Sequence, residues 1–528
     1  MITKLKAALA SVLSLVLVAC GTDSLVPPGD KASGEIRIVA ATELKDMAPL
    51  IRQAEKELSM KITLDYPDGT IANSMALKNG SFDGAYDATW FATNKYVDLY
   101  NAEDKLGTST SIATSPIAFG VRQETARSLG WTDKQPTWAE IIEAVKAKKL
   151  RFGMTDPSRS NSGFSALVSV ATAQADTGAA LTTEDIRKVQ APLREFFAGQ
   201  NLMSGSSGWL EEAFVSDPNR TEAIINYESV LLQMKNSGRS DIQVVVPADG
   251  VVTADYPLAP LHNPRSQSAA DNVQKLSKWL VEHNGDIVKD TQRRPVDPGT
   301  RPHPDHQKNT LIELPFPARQ EVADDLVSAF SDDLRSPGRT VFVLDKSGSM
   351  TGQRMDSLHQ ILTELVDGTA RTSTGAVGLR DREELTIIAF DTYVAAPQSR
   401  TFEKSDQSKR DELKATINGI QPGGGTAVYD ALQTAYNEFE SGVGKDGKIP
   451  SIVLMSDGAS NTGADYKDFE RFYNALTPEQ KRIPVFVILY GESNKQEMES
   501  LAKLTGGKTF DATKGDLAAA FKEIRGYQ

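Results

Sequence analysis

Thr340-Val341-Phe342-Val343-Leu344 is an unbroken apolar run that stops abruptly at Asp345-Lys346-Ser347-Gly348-Ser349. A strand wetted on one side alternates apolar with polar residues, whereas a run without alternation suits a strand covered on both faces of a parallel sheet. Such sheets gather their functional groups in the loops beyond the carboxyl ends of the strands. The Asp-x-Ser-x-Ser stretch falls at such an end. A second run of the same kind, Ser451-Ile452-Val453-Leu454-Met455, delivers Ser456-Asp457-Gly458 to a strand end. Between them, Pro422-Gly423-Gly424-Gly425-Thr426 opens a helix predicted from about Val428 to Glu440, with a hydroxyl at its start. The C-terminal third is therefore expected to be α/β.

From Glu35 onward the pattern also alternates short apolar strands with amphipathic helices, again the mark of α/β architecture. Strands are predicted at Ile36–Ala40, Lys61–Tyr66, Ala85–Thr89, Ser115–Val121, Leu150–Met154, Glu222–Tyr227 and Ile242–Pro247, and a helix over about Asp46–Leu58. Thr137, with Glu140 three residues on, reads as a capping box for the next helix. Residues 290–317, dense in Arg, Pro and His, read as a linker or irregular edge. Gln320–Leu334 reads as a helix that ends before the Pro337-Gly338 breaker. The chain has 528 residues, and one core rarely organises more than about 250. Two or three units are expected.

Lys4 and Lys6 precede an apolar run from Ala7 to Ala19, about a dozen residues, which is too short to span a bilayer and reads as a secretory signal. The run closes with Leu17-Val18-Ala19-Cys20-Gly21 and resembles a bacterial lipobox. That resemblance implies cleavage before Cys20 and acylation of its thiol, for instance by palmitate. Cys20 is the only cysteine, so no internal disulfide is expected, and a doubly or triply acylated cysteine holds a membrane durably. Residues 1–20 are thus read as signal peptide and lipobox, and 21–34 as a tether. The expected location is the bacterial cell envelope, lipid-anchored and facing away from the cytoplasm. A net charge of -12 leaves no basic footprint, so nucleic acid is not an expected partner.

Asp345, Ser347, Ser349, Thr426 and Asp457 supply three hydroxyls and two carboxylates, with no His or Cys among them. Hard cations take such oxygen donors, Mg²⁺ foremost and Mn²⁺ or Ca²⁺ as alternatives, whereas zinc favours nitrogen or sulfur. The same residue types also cap helices and turns. Leu358, Ile361, Leu362 and Leu365 then mark a helix face, followed by strands Leu385–Phe390 and Val485–Tyr490 and a helix over Glu497–Leu504. In this order of elements residues 339–528 resemble a von Willebrand factor A domain, a doubly wound Rossmann-like fold, carrying a metal-ion-dependent adhesion site. The resemblance implies that Ser347, Ser349 and Thr426 bind the ion by their hydroxyls, while Asp345 and Asp457 act directly or through water. Neutral hydroxyls leave more positive charge on the ion than a carboxylate cage would, so an acidic group from a partner protein or other ligand can complete the shell. Lys346 reads as solvated, and Asp430 as part of its helix's acidic first turn. No nucleophile–base pair accompanies the site, so no catalytic residue and no enzymatic activity are expected.

Thr155-Asp156-Pro157-Ser158-Arg159-Ser160-Asn161-Ser162-Gly163 hands a strand to a helix start through a hydroxyl-rich loop, and helix N-termini favour anions. Thr42, Asp87, Ser115 and Glu228 stand at other strand ends. Residues 35–318 resemble two-lobed bacterial extracellular solute-binding proteins of the periplasmic-binding-protein type. The resemblance implies that Thr42, Asp87, Ser115, Ser160, Asn161, Ser162 and Glu228 line a cleft for a small solute, and that Ser111–Val121 and Val244–Leu258 cross between the lobes. Asp87 and Glu228 would oppose a simple anion there. With 319–338 as a linker helix, the expectation is a membrane-anchored binding lipoprotein that holds a partner through a divalent ion. The alternative is the solute receptor of an ABC-type uptake system with an accessory C-terminal domain.

Overall fold

The apolar runs become sheet interiors. The computed structural model describes residues 34–205, 207–306, 310–372, 375–439, 447–456, 460–489, 495–512, 517–525 and 527; Cys20, the signal segment, the tether up to residue 33 and Asp457 lie outside them. Gly34–Ala40 pairs in parallel with Met60–Asp65 and Ala88–Trp90, and the antiparallel strands Pro257–Pro260 and Thr110–Ser111 complete a five-stranded sheet. A second sheet is built around Ala113–Arg122, which pairs with Ala223–Tyr227, Ile242–Val245, Thr253–Ala254 and Arg294–Pro295. Phe152–Thr155 and Gln200–Ser204 extend it. The chain leaves the first sheet at Ile112 and returns through Asp255 and Tyr256, inside the two expected crossings. The helix at Trp138 carries the expected capping box between Thr137 and Glu140.

Three local readings change. The strand expected at Ala85–Thr89 begins only at Ala88, because Asp87 is held by Arg37: its N–H donates to Arg37 O at 2.8 Å and its carboxylate accepts Arg37 N at 2.9 Å. The Arg/Pro/His stretch is no free linker at its start. Arg293 is only 1% exposed, and Arg294–Pro295 pairs with Ala113 and Thr114; basic groups that find the half-buried Asp46 and the buried Glu228 draw the segment into the fold. The helix Gln320–Ala329, continued by a π-turn at Phe330–Leu334, buries Val322, Leu326 and Phe330 in the core of the first unit, so it packs there rather than spanning a gap.

The third sheet has the order Gln398–Thr401, Glu384–Phe390, Gly338–Asp345, Ile449–Ser456, Val485–Leu489, Thr509–Asp511. All its pairings are parallel except that of the edge strand Gln398–Thr401. Phe342 and Leu344 face one core with helices Gln353–Asp367, Gln407–Asn418 and Leu517–Arg525. Val341 and Val343 face the other, with Val428–Asn437, Tyr466–Ala475 and Lys495–Leu504. Helices on both faces are the reason the central strand lacks alternation. The first unit abuts this one through Asp156–Arg380 (3.0 Å), Asp217–Arg482 (2.9 Å) and the edge of Trp209 against Tyr527.

Gly163 lies in the first turn of helix Asn161–Ala175, where an added Cβ would stand 2.3 Å from Thr155 O. Backbone cannot yield as a flexible side chain can. Gly163→Ala is expected to lift the helix off the strand and to destabilise the first unit by about 1–3 kcal/mol. Urea unfolding should show an earlier first transition; an unchanged midpoint would disprove the tight contact.

Candidate functional site

Asp345 ends the central strand of the third sheet and is fully buried. One carboxylate oxygen accepts Ser347 N at 2.8 Å, and the other accepts Ser456 Oγ, from the end of the neighbouring strand, at 2.6 Å. The carboxylate therefore has a fixed orientation and bends the chain into the turn Gly348–Met350. That turn brings Ser347 Oγ and Ser349 Oγ to 3.0 Å from each other; Ser347 is buried and Ser349 exposed.

The glycine loop docks on this turn by backbone bonds. Gly423 N donates to Lys346 O at 2.8 Å, and Gly348 N donates to Gly424 O at 3.1 Å. Thr426 follows, buried, with its N–H on Asn461 Oδ1 at 2.8 Å and its carbonyl accepting Asn461 N and Ser460 Oγ. Asp345, Ser347, Ser349 and Thr426 thus stand on adjoining loops at one end of the sheet. Asp457 falls outside the described residues, directly after Ser456. Among the described residues no group of three or more His, Cys, Asp or Glu side chains is placed to hold a metal; the donors here are chiefly hydroxyls.

Of two neighbours, Lys346 departs from its sequence reading, whereas Asp430 stands in its helix's acidic first turn as expected. Lys346 is not solvated: its ammonium pairs with Asp391, which follows strand Glu384–Phe390, and both side chains are largely covered. Burial alone would raise the Asp391 carboxyl, but the hydrogen bond from Lys346 outweighs it and holds the group below its usual range. Asp391 O also accepts Ala427 N at 2.9 Å, so a third strand end braces the glycine loop. Its position directly after an apolar strand was the available signal. Asp430 accepts Ala464 N at 2.9 Å, which pins the segment after Asn461. Gly463, at φ +72°, is the close neighbour that permits this, since a Cβ there would stand 1.7 Å from Asp430 Oδ2.

In the first unit the expected cleft residues separate. Ser160, Asn161 and Ser162 do form one cluster: Ser162 Oγ lies 3.0 Å from both Ser160 Oγ and Thr155 Oγ1, and Asn161 Nδ2 donates to Tyr227 Oη. Asn161 Oδ1 is buried without a partner. Ser115 is instead paired with Ser229, and Thr42 is exposed, bonded only to the adjacent Glu43. Asp87 lies at the opposite end of its strand from Thr42, where Arg265 and Ser266 N hold its carboxylate. Glu228 is gripped by both arms of Arg294 at 2.6 and 2.8 Å. Neither carboxylate opposes an anion, because each is neutralised by an arginine. The group missed from sequence is Arg293, which lies 2.8 Å from Asp46 and 3.0 Å from Glu43 O and stacks over Tyr256 at 4.6 Å. Burial pushes Tyr256 up to about 12 and raises the half-buried Glu43 carboxyl above its usual range.

Residues 340–524 match the von Willebrand factor type A domain, and residues 36–276 match the bacterial extracellular solute-binding protein family. The protein is a mixed α/β chain with a solute-binding-protein-like part followed by a von Willebrand factor type A domain. Inter-alpha-trypsin inhibitor heavy chain H4 of Bos taurus is 25% identical over 209 residues, 36% of this chain and 22% of that protein. Calcium-activated chloride channel regulator 1 of Homo sapiens is 30% identical over 170 residues, 31% of this chain and 16% of that protein. The match therefore spans about a fifth of those relatives' own lengths. Similar solved structures include the periplasmic binding protein AfuA from Actinobacillus pleuropneumoniae, at 14% identity, 57% of this chain, 99% of that chain and TM-score 0.47. A periplasmic thiamin binding protein is similar at 12% identity, 57% and 98% coverage and TM-score 0.45.

A carboxyl whose pKa is depressed by folding stabilises the fold above its unfolded value, near 3.9 for Asp, and loses that contribution as pH falls through the folded value. The Lys346–Asp391 pair should accordingly brace the glycine loop at neutral pH and release it on acidification below about pH 4. Asp391→Asn should remove that acid-side component from the stability profile of the C-terminal domain. A profile identical to wild type below pH 4 would contradict the assignment.

Proposed function

We propose that this chain is an extracytoplasmic binding protein whose C-terminal domain grips an acidic group of a partner through a divalent ion. Ser347, Ser349 and Thr426 hold the ion by hydroxyl oxygens, and Asp345 and Asp457 act on it directly or through water. Mg²⁺ is the first choice, with Mn²⁺ and Ca²⁺ as alternatives. The observation that carries the reading is the 3.0 Å between Ser347 Oγ and Ser349 Oγ beside the fixed carboxylate of Asp345. Mg²⁺ takes its ligands in an octahedron at about 2.0–2.1 Å, so two ligands at right angles stand about 2.8–3.0 Å apart.

When bound, the ion supplies an open coordination position with little of its positive charge offset by the hydroxyls. The chain's own part is positioning. Asp345 fixes the serine turn, the Lys346–Asp391 pair braces the glycine loop, and Asn461 clamps the backbone of Thr426. The lipobox-like segment ending at Cys20 and the likeness of residues 36–276 to an extracellular family support a location outside the cytoplasm, with the acylated cysteine as anchor. Ser160, Asn161 and Ser162 are the residues of the first part best suited to a small polar solute, because Asn161 Oδ1 lacks a partner. The uptake-receptor alternative has weaker support, since Asp87, Ser115 and Glu228 are already satisfied within the fold.

The test avoids Asp345, whose loss would unfold the turn. Calorimetric titration of the full chain with MgCl₂ should show one saturable site, weakened at least tenfold in Ser347→Ala and in Thr426→Ala while the unfolding midpoint stays within error. Proteins retained from envelope extract should be released by chelator and not retained by either variant. Equal heats in wild type and variants would defeat the proposal.

A further inference from the structure

Gln200–Ser204, the edge strand of the second sheet, borders the C-terminal domain, where Met203 Sδ accepts from Arg335 at 3.8 Å. At the carboxyl end of this strand the junction is filled by paired charge. Asp156 N donates to Ser204 O at 2.8 Å, the Asp156 carboxylate takes Arg380 at 3.0 Å, and Glu383 takes Arg335 and Arg525 at 2.9 and 2.5 Å. At the amino end of the strand a cavity of about 460 Å³ remains. Gln200, Asn201, Arg151 and Arg220 of the first part line it, and Lys448 and Arg482 face them from the C-terminal domain.

Three of these cations are already paired: Arg151 with Glu222 at 2.6 Å, Lys448 with Glu384 at 2.5 Å and Arg482 with Asp217 at 2.9 Å. The groups left open are few and specific. Gln200 is only 2% exposed, yet neither its Oε1 nor its Nε2 has a hydrogen-bond partner among the described residues. Asn201 donates its Nδ2 to Arg220 O at 2.7 Å and keeps its Oδ1 buried and unpartnered. The half-buried Arg220 guanidinium makes no hydrogen bond or ion pair among the described residues. Asp217, the carboxylate that attracts it, is taken by Arg482 and by Asn219 N at 3.0 Å. Burial therefore brings Arg220 down to about 10. Interiors rarely leave an amide unsatisfied at both ends, because its desolvation is then uncompensated.

We infer that this cavity binds a free carboxylate joined to a peptide unit, as in an N-acylated amino acid or the carboxyl end of a short peptide. The forked guanidinium of Arg220 suits a carboxylate, which it can take in two parallel hydrogen bonds. A primary amide presents an acceptor and donors side by side, so Gln200 complements the N–H and C=O of a peptide unit, and Asn201 Oδ1 can accept a further N–H. With the other cations paired, one open guanidinium calls for a single negative charge rather than a phosphate dianion. The volume falls within the roughly 300–1,000 Å³ usual for small-molecule sites. Both parts of the chain line the cavity, so its occupant ties them together. Ile449, at the start of its strand, is in the wall, so the site is at the other end of that strand from Ser456 and does not depend on the metal reading.

Isothermal titration of the full chain with acetyl-alanine, acetyl-alanyl-alanine and the amide of the latter tests the inference. Saturable binding of at least one free acid is expected, weakened at least tenfold by amidation of the carboxyl group. Arg220→Gln and Gln200→Met should each weaken it at least tenfold. Gln200→Met should also raise the unfolding midpoint of the ligand-free chain, since it removes two unpaired polar atoms and breaks no hydrogen bond. If Arg220→Gln fails to fold, Arg220→Lys keeps the charge, loses the fork and should still weaken binding several-fold. No saturable heat with either free acid, or equal binding of the amide, would overturn the site. So would affinity unchanged in both Gln200→Met and Arg220→Lys, or affinity lost in Asn161→Ala alone, which would put the ligand between the lobes. Preference for the acylated amino acid or for the dipeptide supports the site either way and tells which of the two it serves.

Discussion

The C-terminal domain depends on how the carboxylate of Asp345 is held. Its two oxygens accept from Ser347 N and Ser456 Oγ, which locks the end of the central strand to its own following turn and to the end of the strand beside it. This arrangement is possible because helices cover both faces of the sheet and exclude water from the strand behind it. A carboxylate so enclosed is stable only with its lone pairs occupied, and the residues that occupy them are the ones that shape the serine turn. Fold stability and site geometry are therefore set by the same bonds.

The interface with the first part rests on a different balance. Buried ion pairs seldom stabilise more than apolar packing of equal volume would, because desolvation offsets their attraction. They do penalise misdocking, since any other relative placement leaves the buried Asp156 without Arg380. Burial alone would raise the carboxyls of Glu383 and Asp156, yet Arg525 and Arg380 outweigh it and hold both below the ordinary range. The network thus defines a register between the two parts more than it adds net stability.

The legible parts of the chain were those whose meaning is local. Asp345, Ser347, Ser349 and Thr426 stand at ends of elements that apolar runs and a glycine stretch announce, and the structure does bring their loops together. The Gln320–Leu334 helix and the Thr137–Glu140 box were legible for the same reason. Asp87 and Glu228 were misread because their partners, Arg265 and Arg294, are 178 and 66 residues away, and no local pattern carries such a pairing. Arg293 was hidden in a stretch whose proline content suggested a linker, although its guanidinium is among the most enclosed groups of the first part. Asp391 followed an apolar strand without any accompanying motif, so only the fold could connect it to Lys346.

The two charged clusters of the C-terminal domain lie at opposite ends of one sheet. Arg335, Arg380 and Glu383 precede strands Gly338–Asp345 and Glu384–Phe390, whereas Asp345 and Asp391 end them, and the strands run in parallel register from Arg339–Glu384 to Asp345–Phe390. Seven residues of strand separate the clusters by about 23 Å at roughly 3.3 Å per residue. The end that is bolted to the first part is thus remote from the serine and glycine loops, and those loops face away from it. A partner approaching Ser349, the exposed member of the set, meets loop surface that, among the described residues, the first part does not cover. The parallel order of the strands, which put Asp345 at a carboxyl end in the first place, is also what leaves that end open.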